Sequence, residues 1–184
     1  HTIGCLEVSC KGNNFFKSPM LPLVGRAKQG NVTGRVIVIG YFSMEKWDKT
    51  KAILDQLKGK IYLLQGNHDR FVKDKDFDAS RFIWVRSYAE MHDNGRKVVL
   101  SHYPVMCYNG QRRLSKHGNP KTDMLHGHVH DTLDQRLLQQ FQQITRDTMR
   151  GDAPIPCNLL NCFCMYSEYI PLGLDEWIEY HETK

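Results

Sequence analysis

Residues 35–64 read as one βαβ unit, and no other feature of the chain restricts its fold as strongly. "RVIVIG" (35–40) and "KIYLL" (60–64) are short apolar runs, the composition of strands covered on both faces in a parallel sheet. Between them, Ser43 is placed to cap a helix running to about Leu57, with Trp47, Lys51 and Leu54 sharing a face with Met44 and Gly59 as the stop. A crossover this short sets both strands in one parallel sheet, so their C-terminal ends lie on one edge.

Further strands are expected at "RFIWVRSY" (81–88), "KVVLSHYP" (97–104), "MLHGHVH" (124–130) and "CNLLNCFCM" (157–165). Leu137, Phe141, Ile144 and Thr148 recur at helical spacing and predict a helix over about 133–149, and "YIPLGLDEWIEY" (169–180) leads to a terminal helix. The 184 residues suit one domain, 1–184, in which residues 1–34 form an atypical N-terminal segment.

No apolar run reaches the length of a bilayer span or of a signal peptide, so no membrane partner is expected. Six cysteines without a Cys-x-x-Cys pair read as reduced thiols of a cytoplasmic protein. The net charge of +5 is concentrated in residues 1–43, where Lys11, Lys17, Arg26, Lys28 and Arg35 are opposed by Glu7 alone. That leaves the main body near neutral, with no basic face and no specific nucleic-acid partner indicated.

Three polar clusters each follow an apolar strand: Gly66-Asn67-His68-Asp69, Ser101-His102-Tyr103-Pro104 and His126-Gly127-His128-Val129-His130. The C-terminal edge of an open α/β sheet is where ligands bind. Neutral imidazoles with an amide oxygen form a mixed N/O set suited to Zn²⁺, Mn²⁺ or Fe²⁺. His128 and His130, two apart in an extended segment, are expected to point to one side, and Gly66 and Gly127 to let the backbone pass close to an ion or phosphate. A lone strand-end histidine is usually a hydrogen-bonded loop residue, and His126 is read that way, while His1, His92, His117 and His181 are read as surface residues.

Gly-Asn-His-Asp, Ser-His-Tyr-Pro and Gly-His-x-His in this order, with "AILDQLKGKIYLLQGNHD" and the closing "YIPLGLDEW", resemble the calcineurin-like metallophosphoesterase family, in particular its small bacterial and phage members. The resemblance spans most of residues 35–184. It implies an αββα sandwich, two packed mixed β-sheets flanked by helices, with one or two divalent transition-metal ions (Mn, Zn or Fe) at the strand ends. It also implies hydrolysis of phosphate mono- or diesters, with a small phosphorylated molecule such as a nucleotide as substrate. By the same resemblance Asn67, His102 and His128 bind one ion and His130 the other, while His68 lies near the leaving oxygen with Asp69 holding its ring. The assignment makes chemical sense, because paired ions acidify a bridging water and a protonated imidazole can protonate an alkoxide.

Part of the family pattern is missing. Where an Asp-x-His and a bridging Gly-Asp are expected, residues 1–47 contain no aspartate, and Gly40-Tyr41 stands in the second position. A first strand at "CLEVSC" (5–10) would put Cys10 and Gly12 at the Asp-x-His. A phenol with pKa near 10 is a poor substitute for a carboxylate bridge. Three readings stay open: a hydrolase with one ion or an altered ligand set, a non-catalytic relative binding metal, nucleotide or a partner, or an aberrant stretch before residue 35. A binding module with a structural zinc at "HGHVH", completed by Cys162 and Cys164, is the remaining alternative, although Cys-x-Cys in an apolar strand is more simply core packing. The segments 70–80 and 106–122 are the expected specificity loops, with 108–121 near the site.

Overall fold

Apolar residues on successive positions of a doubly covered strand face opposite ways, so each strand feeds two cores. The computed structural model describes residues 3–6, 35–57, 59–93 and 95–184, the first four by their backbone, so the alignment of Cys10 and Gly12 lies outside the described residues. One sheet holds β1 (Ile3–Leu6), β2 (Arg35–Ile39), β3 (Lys60–Leu64) and β4 (Trp84–Arg86), all parallel and in that spatial order. The other holds β5 (Tyr88–Asp93), β6 (Arg96–Ser101), β7 (Thr122–His126) and, beyond a hairpin of β8 (Met149–Arg150) and β9 (Ala153–Pro154), β10 (Leu159–Asn161). Its order is β10-β7-β6-β5, with β5 antiparallel to β6. The second sheet is mixed, while the described strands of the first are all parallel, as its short crossovers require.

The inner layer joins Ile37, Ile39 and Leu64 of the first sheet to Ala89, Val98, Leu100, Leu125 and Leu160 of the second. Val36, Val38, Ile61 and Leu63 point outward onto Trp47 and Leu54 of helix α1 (Trp47–Leu54) and onto Phe71 and Phe82. Val99, Met124 and Leu159 point outward from the second sheet onto Leu138 and Phe141 of α2 (Leu133–Asp147). A third helix, α3 (Leu174–Glu182), packs against β1 and β10 and inserts Leu174 and Trp177 into the inner layer. The architecture is an α/β sandwich of two stacked sheets with helices outside. Each fully buried Leu or Ile contributes about 1.5–3 kcal/mol.

Several expected boundaries shift. Helix α1 starts at Trp47 after Lys46, not at Ser43, because the Ser43 hydroxyl is engaged by Glu45 N (3.1 Å) and Thr50 Oγ1 (2.9 Å). Its buried face is Trp47, Thr50 and Leu54, with Lys51 and Met44 exposed. The run 81–88 divides into β4 and the start of β5, and the strands expected at 97–104, 124–130 and 157–165 end earlier, at Ser101, His126 and Asn161.

On α2 the apolar stripe is not the buried one: Leu137 and Ile144 are exposed, while Gln135, Leu138 and Gln142 are buried. The reason is that β10 is an edge strand needing partners. Gln142 Oε1 accepts from Leu159 N (2.8 Å), and Gln135 Oε1 accepts from the side-chain Nδ2 of Asn161 (2.9 Å). Among the described residues no helix is long and apolar enough to cross a membrane.

Candidate metal centre

The C-terminal ends of β2, β3, β6 and β7 meet at one edge of the sandwich, and the side chain that joins the two sheets there is His102. It is buried, and its Nδ1 lies 3.2 Å from the carbonyl oxygen of Ile39, the last residue of β2. A carbonyl only accepts, so Nδ1 carries the proton and Nε2 presents a lone pair. Burial, more than the repulsion from nearby histidines, depresses the His102 pKa to about 4, which keeps the ring neutral at pH 7.

That lone pair faces Asn67 Oδ1 at 2.9 Å and His128 Nδ1 at 3.2 Å. In this orientation Asn67 presents its Oδ1, an acceptor, to that lone pair. The separations match a coordination shell: bonds of about 2.1 Å put neighbouring donors about 3.0 Å apart at right angles and about 3.4 Å apart in a tetrahedron. The three donors therefore fit one first-row divalent ion. Asn67 is exposed and His128 half-buried, leaving the far side of the position open to solvent. The set is two imidazoles and one amide; no group of three or more His, Cys, Asp or Glu suited to a metal occurs among the described residues.

Positions one step away are filled by rings. Tyr41, with its ring buried, stacks on His68 at 4.8 Å between centroids, meets His102 edge-on at 5.1 Å and lies 5.5 Å from His130. The His130 ring stacks on Phe163 at 4.9 Å. This side offers a second ion few donors: Tyr41 presents a neutral phenol and His130 an imidazole whose ring is stacked on Phe163. Backbone strain gathers here as well: Tyr41 (φ 53°), His128 (φ 66°) and His130 (φ 49°) adopt left-handed conformations, each costing roughly 1–2 kcal/mol. Gly40 (φ 78°) precedes them, and a Cβ there would collide with the His102 ring.

Most of the expected residues come together, with corrections to how they do so. His128 and His130 do not lie in an extended segment; β7 ends at His126, and left-handed turns aim His128 at His102 and His130 at Tyr41 and Phe163. Asp69 does not hold the His68 ring: its carboxylate is buried and accepts from Gly66 N (2.8 Å) and Ser43 N (3.2 Å). Burial raises the Asp69 pKa to about 6 against those amides, so Asp69 is a brace for the loops after β2 and β3. His68, half-buried, keeps its ring nitrogens outside hydrogen bonds among the described residues. Gly66 is required by close passage of the Gly40-Tyr41 backbone, within 2.9 Å of where its Cβ would lie, rather than by a ligand.

His126 is wholly buried beside its Gly127 carbonyl, as expected of a structural histidine. His181, expected at the surface, instead bonds the Asn161 carbonyl through Nε2 (3.0 Å) and stacks on Trp177. Cys162 packs in the inner core and Cys164 in the outer core of the first sheet, in line with the core packing expected of a Cys-x-Cys in an apolar strand. Tyr103 was not among the expected site residues; its ring lies 4.4 Å from that of His128, a placement announced only by its adjacency to His102.

The fold has a solved counterpart. Protein AQ665 of unknown function from Aquifex aeolicus superposes with a TM-score of 0.60 over 97% of this chain and 98% of its own, at 16% identity, which shows a shared fold alone. A single mutant of Vps29 from Entamoeba histolytica matches at a TM-score of 0.39 and 12% identity, over 88% of this chain and 73% of that one. No family model matches the sequence, and no curated protein matches it.

Proposed function

We propose that this chain is a metal-dependent phosphoesterase working with one divalent transition-metal ion, its hydrolysis weakened by Tyr41. The observation that carries the reading is the meeting of Asn67 Oδ1, His102 Nε2 and His128 Nδ1 at 2.9 and 3.2 Å, separations that suit neighbouring donors in one coordination shell. The ion would supply Lewis-acid polarisation of a phosphoryl oxygen and a more acidic water. The Ile39 carbonyl orients His102 and fixes its tautomer, as a partner on the far nitrogen does for metal-binding imidazoles. His68, on the same loop as Asn67 and stacked on Tyr41, is placed to give a proton to a departing alkoxide. Asp69 keeps the His68 loop against the Ser43 loop through backbone amides.

One observation favours a second reading, a non-catalytic relative that keeps the ion as a structural or ligand-binding element. Tyr41 puts an aromatic ring among His68, His102 and His130, and a neutral phenol cannot bridge two cations. Elemental analysis after chelation and reloading, followed by turnover of an aryl phosphate and an aryl phosphodiester, separates the two. About one ion per chain with metal-dependent turnover supports the enzyme. One ion without turnover supports the relative, and no retained ion refutes both.

A further inference from the structure

The near-neutral main body conceals a local excess of positive charge. The segment 108–121, expected beside the metal centre, leaves it after Met106 and runs to the opposite edge of the second sheet. There Lys121 N donates to Arg113 O at 2.9 Å, and Gly110 lies against Thr122, the first residue of β7. His126 ends the same five-residue strand, so the two edges are about 13 Å apart.

A cavity of about 440 Å³ opens at this edge, lined by Arg112, Arg113 and Arg150 with Gly110 and Gln111. Among the described residues no carboxylate lines it. The ion pairs of the described residues use Glu90 for Lys97 and Asp123 for Arg96, and none includes these three arginines. Segment 108–121 adds Lys116 and Lys121 and contains no acidic residue. Unpaired guanidiniums crowded in one concavity repel each other, and an anion between them relieves that repulsion.

A second, independent observation concerns the cavity wall. Thr122 is 1% exposed, and among the described residues its hydroxyl has no hydrogen-bond partner, a condition native folds rarely leave uncompensated. That hydroxyl faces Gly110, where a Cβ would lie only 2.9 Å from it and where φ is +84°. The glycine lets the backbone of the cavity wall pass close in front of this buried hydroxyl.

We propose that this pocket binds a small oligophosphate anion, of pyrophosphate or polyphosphate-ester type, at a site separate from the metal centre. Guanidinium forks match pairs of phosphate oxygens, and three of them call for more than one negative charge. A local, solvent-open concavity of about 440 Å³ suits a compact anion better than an extended backbone. The proposal stands whether or not the metal centre is catalytic.

The test is isothermal titration of the full chain with inorganic pyrophosphate at about physiological salt. The expected result is one site per chain with a Kd below about 1 mM, retained in His102→Ala/His128→Ala and weakened about 10-fold or more by Arg113→Gln or by Arg150→Gln. Thr122→Val, which preserves shape and removes the hydroxyl, weakens it less but measurably, and circular dichroism confirms that each variant is folded. The proposal is overturned by an unchanged Kd in Arg112→Gln/Arg113→Gln/Arg150→Gln, by loss of binding in His102→Ala/His128→Ala, or by no saturable binding at millimolar pyrophosphate. It is equally overturned if a single-stranded oligonucleotide binds through these arginines and pyrophosphate does not displace it.

Discussion

The two halves of the histidine cluster solve the same packing problem in opposite ways. Around His102, polar atoms converge: Asn67 Oδ1 and His128 Nδ1 approach its Nε2 at 2.9 and 3.2 Å, and the Ile39 carbonyl holds the ring from behind. Around Tyr41, ring faces converge: His68, His130 and, through His130, Phe163 stack or tilt against one another at 4.8–5.5 Å. The first half sets three potential donor atoms around one position; the second packs ring against ring, contact worth about 0.5–1.5 kcal/mol per pair. Two neighbouring parts of one histidine cluster can thus be held by different forces, provided that the rings of one fill the volume beside the polar atoms of the other.

The most drastic way to break this contrast is to remove the polar half. His102→Ala/His128→Ala deletes two of three ligands, and we expect bound metal to fall from about one ion per chain to none, read by elemental analysis. Metal content equal to that of the parent would place the ion elsewhere.

Next in size is the role of His68, which sits on the aromatic half yet reaches toward the polar one. His68→Ala should lower kcat by about 10²–10⁴-fold on an alkyl phosphate, whose leaving group needs a proton, and by much less on a nitrophenyl ester. Asn67→Ala should instead reduce metal occupancy and depress both rates together. Equal losses on both esters for His68→Ala would reduce His68 to an electrostatic or packing contributor.

Tyr41→Asp sharpens the comparison by converting the aromatic half into a polar one. Aspartate tolerates the left-handed backbone at φ 53° better than tyrosine does, and its carboxylate can span two cations. Reloaded protein should then bind about two ions per chain instead of about one. An unchanged ion count would show that His130, stacked on Phe163, cannot turn to act as a ligand.

The smallest effect is on stability. Burial depresses the His126 pKa to about 4 and lowers that of His181, both from about 6.5. Groups with a folded pKa below the unfolded one give stability that is complete above about pH 6.5 and is lost as pH falls toward about 4, on the order of 3 kcal/mol for His126. Asp69 has the opposite sign: raised to about 6, it contributes below its unfolded value and loses that contribution as pH rises through 6, so it offsets part of the loss. Urea unfolding should therefore show stability dropping between about pH 6.5 and 4, and dropping more steeply in Asp69→Asn. Rising stability over that window would contradict the burial of His126.

Local sequence determined the layers and the edge at which the site lies. Short β-branched runs joined by one helix leave only a parallel crossover, which delivered β2, β3 and the position of Asn67, and the clusters after β6 and β7 follow from where the apolar runs stop. Tertiary structure alone decided which partner each polar atom meets. Ile39 orients His102 through a carbonyl that every residue has, so no pattern could single it out, and Asp69 turned to the amides of Gly66 and Ser43 because those groups, brought together across the sheet, were buried and needed an acceptor. The buried face of α2 was misleading for a related reason: the edge strand β10 required side-chain hydrogen bonds, and Gln135 and Gln142 supplied them at the expense of Leu137 and Ile144. Likewise Arg150 is far in sequence from the adjacent Arg112 and Arg113, and only the return of segment 108–121 to the start of β7 gathers the three around one cavity. Periodicity encodes what a residue does to its own element, whereas the satisfaction of buried polar groups depends on what the rest of the chain brings beside it.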